Sequence, residues 1–260
     1  MPLIPWLIRR LGLGPAREDR DVLTVGAQTL LVSLIVTAAS TVLLLVLPLV
    51  AGRWGRGETS APTLAGIGRP RALLWAVYFA GVGLGYIMVE IVLIQRFSFF
   101  LGYPVYALVA VLFTLLLASG LGSALAGRWT GGGALQRTLA GLCAALLVCA
   151  LVLPWLLDTT LGAATPARLA VAVGVAAPLG LLMGMPFPTG LRRAGGEANG
   201  LVPWAWAVNG GASVLGSTLA VLVSMSYGFT WSFLTGTGAY AVALGVAAWL
   251  TRATADHHRP

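Results

Sequence analysis

The chain has 260 residues, of which 58% are hydrophobic and only 9% charged, with a formal net charge of +8 and a mean hydropathy of +0.90. Soluble domains carry roughly 25% charged residues. The balance here excludes a soluble enzyme, a nucleic-acid-binding domain and a disordered protein, and leaves a polytopic helical membrane protein.

In chain order, residues 1–21 open with Pro2-Leu-Ile-Pro-Trp-Leu-Ile-Arg-Arg. This stretch is too short to span and too apolar to dissolve, so it is expected to lie in the membrane interface. Arg9 and Arg10 follow its apolar part, the reverse of a secretory signal. Residues 22–50 form the first expected span. Residues 51–71 are rich in Gly, Arg and Pro and read as a linker. Six further spans follow within residues 72–251: Ala72–Gln95, Tyr103–Ala126, Thr138–Leu157, Ala167–Thr189, Val202–Met225 and Thr230–Thr251. Each suffices to cross ~30 Å of hydrocarbon at 1.5 Å per residue. The apolar runs lack the alternation that a transmembrane barrel requires. Residues 252–260 form a polar tail, in which His257 and His258 read as a solvated end rather than a metal site.

Every basic residue is arginine, scattered through the connections as topology determinants and lipid-headgroup contacts, not massed for nucleic acid. Arg9, Arg10, Arg17, Arg20, Arg96 and Arg168 fall on one side. Arg53, Arg56, Arg69, Arg71, Arg128, Arg137, Arg192, Arg193, Arg252 and Arg259 fall on the other. The arginine-rich side, which holds the C-terminus, is expected in the cytoplasm. Cys143 and Cys149 stand six apart on one span, on different faces, so neither a disulfide nor a metal pair is expected.

Two polar constellations interrupt the apolar spans. The first is Glu90, with Tyr86, Gln95 and Arg96 on the same helix. A carboxylate inside a span costs ~2.5–3.5 kcal/mol on insertion scales, so Glu90 should face protein or water. It reads either as a proton or cation site or as a packing residue that Tyr86, one turn away, helps to satisfy. The second is Met183, Pro186, Pro188 and Asn209. The two prolines interrupt the fifth of the seven spans not far from its end and release backbone carbonyls, while Trp204 and Trp206 suit the headgroup level. This region reads either as a broken-helix binding niche or as a helix end with an aromatic belt and an interhelical hydrogen bond. Glu90 and Asn209 are expected at different depths, as separate sites. Stripes of small residues at Gly81 and Gly85, at Ala176, Gly180 and Gly184, and at Ala212, Gly216 and Ala220 suit close helix contacts, most of them within the bundle. No catalytic or metal-ligand constellation is present in the spans, so neither enzyme activity nor a cofactor is expected.

The run Met88-Val-Glu-Ile-Val-Leu-Ile-Gln-Arg-Phe, then Phe100-Leu-Gly-Tyr-Pro-Val-Tyr-Ala-Leu, and the block Met183-Gly-Met-Pro-Phe-Pro-Thr-Gly-Leu-Arg with Pro203-Trp-Ala-Trp-Ala-Val-Asn-Gly resemble the membrane region of bacterial proteins that fuse a major-facilitator-like part to a spermidine-synthase-like domain. The soluble synthase-like domain has no counterpart here. The resemblance implies an all-α bundle whose last six spans resemble one half of a major facilitator, in a bacterial inner membrane. Gly122 and Arg128 loosely match the loop motif of that fold, but its acidic residue is missing. The expected function is a non-catalytic membrane subunit or scaffold, working as a homodimer or in a heteromeric complex, with a separate synthase-like partner among the candidates. The alternative is a transporter-like half with Glu90 as its coupling group.

Overall fold

Proline and glycine set most of the helix ends. The computed structural model describes residues 28–29, 31–41, 68–128, 133–198 and 200–256. The expected interfacial segment, most of the linker and the histidines of the tail lie outside them. A short apolar helix, α1 (Leu31–Thr41), falls within the first expected span, whose remainder is likewise outside the described residues. The bundle proper comprises α2 (Arg69–Leu101), α3 (Pro104–Ala126), α4 (Ala134–Thr160), α5 (Thr165–Met183), α6 (Pro186–Glu197), α7 (Leu201–Tyr227) and α8 (Phe229–Asp256). The described residues are all-helical apart from turns and contain no strand. Taking α5 and α6 as one span, six helices are long and apolar enough to cross a membrane. The chain is a multi-pass membrane protein by that measure.

α2 starts at a proline in its first turn, where the missing N–H is no loss, and ends at Gly102 with φ 77°. Only glycine adopts that left-handed conformation cheaply, and its N–H closes on the Ser98 carbonyl. Proline likewise opens α3, α5 and α6. Pro188 and Pro186 divide the expected Ala167–Thr189 span into α5 and α6, as the sequence predicts. α2 is longer than Ala72–Gln95: its 33 residues extend about 50 Å.

α2 is also the central helix. In its most apolar window 56% of residues are buried, against 22% for α4 and α7. It packs along α7 and α8, while α3 pairs with α5, and α4 packs on α8. Trp75, Tyr78, Phe79, Val82, Val89, Leu93 and Phe97 of α2 are buried in the core. Phe79 stacks on Trp75 and meets Phe187 of α6 edge to face; Phe187 in turn meets Trp206 of α7.

The small-residue stripes are taken up inside the bundle. A Cβ at Gly81 would sit 2.7 Å from the Ala239 carbonyl, and one at Gly85 would sit 2.8 Å from the Tyr240 ring. Gly180 lies on Leu115 and Ala118, Gly184 on Ser119, and Gly216 on Leu84 and Ile87. Helices in lipid gain nothing from apolar burial between them, so such backbone-to-backbone fits carry the association.

Polar contacts fasten the two ends. Where α2 begins, Arg71 Nε and Nη2 donate to the two Glu197 oxygens at 2.8 and 2.9 Å, and Trp75 Nε1 adds a third bond at 2.9 Å. At this same end Arg192 Nη2 caps the Ala126 carbonyl at the close of α3, and Gln136 of α4 bonds Thr251 of α8. At the opposite end Arg96 Nη2 donates to Thr230 Oγ1 at 2.6 Å, and Arg168 Nη1 to the Phe100 carbonyl at 2.9 Å. Cys143 and Cys149 are free.

Candidate functional site

A cleft of about 380 Å³ lies between α2, α3, the α5–α6 break and α7; its lining is mainly apolar, with polar side chains from α2, α3 and α7. Its residues reach it for local reasons. On α7, Asn209 and Ser213 are one turn apart and share a face. Asn209 Nδ2 donates to the Phe79 carbonyl at 3.1 Å; Ser213 Oγ lies 3.2 Å from the Gly83 carbonyl and 2.9 Å from that of Asn209. This approach requires a glycine opposite: a Cβ on Gly83 would collide with the Asn209 carbonyl and side-chain amide. On the other wall Tyr86 O–H donates to Ser119 Oγ at 3.3 Å, and Ser119 in turn bonds the Leu116 carbonyl at 3.2 Å. Ser123, one turn further along α3, lines the cleft and is exposed.

The floor is the helix break. Pro188 has no N–H to return to the carbonyl four residues back, so Gly184, which lines the cleft, keeps a carbonyl without its helical donor. Pro186 presents its own carbonyl to Tyr78 O–H at 2.8 Å. Thr189 Oγ1 closes the first turn of α6 onto the Met185 carbonyl at 2.7 Å. None of the described residues lining the cleft carries a charge.

The structure joins parts of the two sequence-predicted constellations and separates others. Tyr86, Met183, Pro188 and Asn209 line one cleft. Tyr86 reaches the cleft of Asn209 because α2 and α7 run side by side, while Glu90 and Asn209 do not share it. Glu90 is not in the wall: it sits one turn beyond Tyr86, 8% exposed. It makes no hydrogen bond or ion pair among the described residues. The expected help from Tyr86 goes to Ser119 instead. Glu90 lies close enough to both the Tyr86 and the Tyr240 hydroxyls to act on them electrostatically. The Tyr240 hydroxyl is itself buried without a partner. Gln95 and Arg96 point elsewhere. Arg96 fastens α8, and Gln95 holds a buried, unpartnered Oε1. Pro186 serves the break rather than the wall.

The sequence alone assigned Ser119, Ser123 and Ser213 no site role. Their signal is present: Ser119 with Ser123, and Asn209 with Ser213 and Ser217, are polar residues at four-residue spacing on otherwise apolar helices. The carboxylate Glu197 and its partners Arg71 and Trp75 were also passed over, because they lie at the span ends. Among the described residues no group of His, Cys, Asp and Glu could hold a metal ion. No family model matches the chain, and neither does any curated protein or solved structure.

Proposed function

We propose that the chain is a non-catalytic membrane subunit that works as one half of a two-part membrane assembly, its polar cleft completed by a docked protein. One observation carries this reading: the cleft wall of Ser119, Ser123, Asn209 and Ser213 opens on the bundle surface between spanning helices, with Gly120 and Ser123 exposed. Ser119, Asn209 and Ser213 already hold carbonyls of the bundle, but the exposed Ser123 makes no hydrogen bond among the described residues. Hydrocarbon would leave its hydroxyl unsatisfied at a cost of several kcal/mol, so this face belongs against protein or water. The partner is a second copy, or a membrane protein associated with a synthase-like domain, as the sequence resemblance implies. The small-residue stripes are occupied internally, so the contact uses the cleft face. A photo-crosslinking residue at Ser123, in protein at native expression in an inner membrane, is expected to capture one defined protein. Capture of lipid alone, together with a monomer by light scattering in mild detergent, would sink the proposal.

A second reading is favoured by Glu90, a buried carboxylate without a partner beside a polar cleft. In this reading the assembled halves move a small solute or cation with Glu90 as the coupling group. Glutamine keeps the shape and removes the charge. Glu90→Gln is expected to leave the unfolding temperature within about 2 °C, consistent with the small effect of a neutral swap, while abolishing proton-coupled uptake in proteoliposomes. Unchanged uptake would reduce Glu90 to a packing residue.

The arginine asymmetry supports a cytoplasmic location for the end where α2 begins, α3 ends and α8 ends. A cysteine introduced at Ala164, in the turn between α4 and α5, should react with an impermeant maleimide added to intact cells. Reaction only after permeabilisation would reverse the orientation.

A further inference from the structure

Apart from the cleft, α4 and α5 enclose a second groove of about 290 Å³, lined by apolar residues that include Val148, Cys149, Val152, Gly174, Val175 and Pro178. Gly174 leaves its floor open, since a Cβ there would meet nothing within 4 Å. Pro178, inside α5, lacks an N–H, and such positions bend a helix away from its neighbour. The groove lies between spanning helices, where the solvent is acyl chain.

Two arginines stand towards its end nearest the α4–α5 turn, and neither pairs with a carboxylate among the described residues. Arg168 stands two turns before Val175 on the same face of α5, about 10 Å along the axis. Its Nη1 is held by the Phe100 carbonyl, its guanidinium lies 6.0 Å from the Phe100 ring centroid, and its Nε is buried with no partner. Arg96 reaches the same end of the bundle, bonded only to the Thr230 hydroxyl, and lies within electrostatic range of Cys149 in the groove wall. The one acidic residue at this end of α4, Asp158, is exposed. Trp155, Tyr103 and Tyr106 are exposed at this level, as suits a headgroup zone.

We infer that this groove is a specific site for an anionic phospholipid, one acyl chain lying along Val148, Val152 and Val175 and the phosphate held by Arg168 and Arg96. The apolar wall selects a chain, and the two arginines select a negative headgroup over a neutral one. Each basic residue near a membrane surface favours an anionic lipid about five-fold, so two favour it about thirty-fold.

Native mass spectrometry of the full chain in mild detergent tests the site directly, with phosphatidylglycerol and phosphatidylcholine of equal chain length as probes. Phosphatidylglycerol should be retained about thirty-fold better. That preference should vanish in R96Q/R168Q, whose amides can still donate to Thr230 and Phe100. Gly174→Leu, which fills the groove and leaves both arginines in place, should lose the bound lipid. In the unmodified chain, phosphatidylglycerol should also slow alkylation of Cys149, read by fragment mass spectrometry, so the test survives if the double variant fails to fold. Equal retention of the two lipids, a Gly174→Leu protein that still holds phosphatidylglycerol, or equal protection of Cys149 by inorganic phosphate alone would each overturn the inference.

Discussion

Gly122→Ala is expected to destabilise the bundle by at least about 3 kcal/mol, the upper range for overpacking a fitted contact. The added methyl would collide with the Leu181 carbonyl oxygen, and Leu181 Cα would be only 3.2 Å away. These are backbone atoms of α5, which cannot swing aside as a long side chain could. The facing contact at Gly184 against Ser119 is equally tight, so α3 and α5 have no slack along the shared seam. The sign is informative, because glycine to alanine inside an exposed helix normally gains up to about 1 kcal/mol. Gly141, exposed within α4 with nothing near its Cβ position, provides the control. Thermal unfolding in one detergent should show Gly141→Ala unchanged or slightly stabilised and Gly122→Ala unfolding far earlier. Equal behaviour of the two would mean that α3 and α5 do not meet as described.

The Arg71–Glu197 clamp should give the second largest effect. Both side chains are mostly buried, at 25% and 18% exposure, and Trp75 donates to the same carboxylate. Glu197→Ala removes the acceptor of three bonds and leaves a guanidinium half-desolvated. The expected loss is ~2 kcal/mol, since hydrogen bonds to charged groups contribute about 1.5–3 kcal/mol where they are well shielded. Glu197→Gln should fall between, because it can still accept from Trp75. Replacing both partners with apolar residues of similar size, R71M/E197L, should recover much of the loss. If Glu197→Ala and Glu197→Gln unfold at the same temperature as the unmodified protein, the ion pair is a surface contact with no weight.

Helix ends were legible in the sequence because proline and glycine act locally. Tyr103–Ala126 was expected and Pro104–Ala126 found; Val202–Met225 was expected and Leu201–Tyr227 found. The break at Pro186 and Pro188 was equally plain. Helix faces were not legible. The spans are apolar nearly all round, and lipid and protein neighbours are alike in polarity, so no periodic pattern marks the buried side. Gly120 and Gly122 illustrate this: they stand two residues apart, yet one faces open space and the other lies against backbone. The cleft shared this fate. Glu90 and Asn209 stood out as single polar residues, but the meeting of Tyr86 with Ser119, and of Gly83 with Asn209, depends on which helices become neighbours. Arg71 and Glu197 could be recognised as charges but not as a pair, being separated by 126 positions.

The central place of α2 has a consequence for how the protein is made. Its principal neighbours, α7 and α8, are the last helices of the described chain, and the bond from Asn209 to Phe79 spans 130 positions. At about 5–20 residues per second, a ribosome needs roughly 7–26 s to add that many residues. Throughout that interval α2 is in the bilayer with Glu90, Gln95 and Arg96 lacking the neighbours that later surround them. Its early membrane residence therefore depends on the insertion machinery or on an assistant protein to shield one face. A nascent chain stalled after α5 should crosslink to such a factor through α2, and release of the completed chain should end the contact.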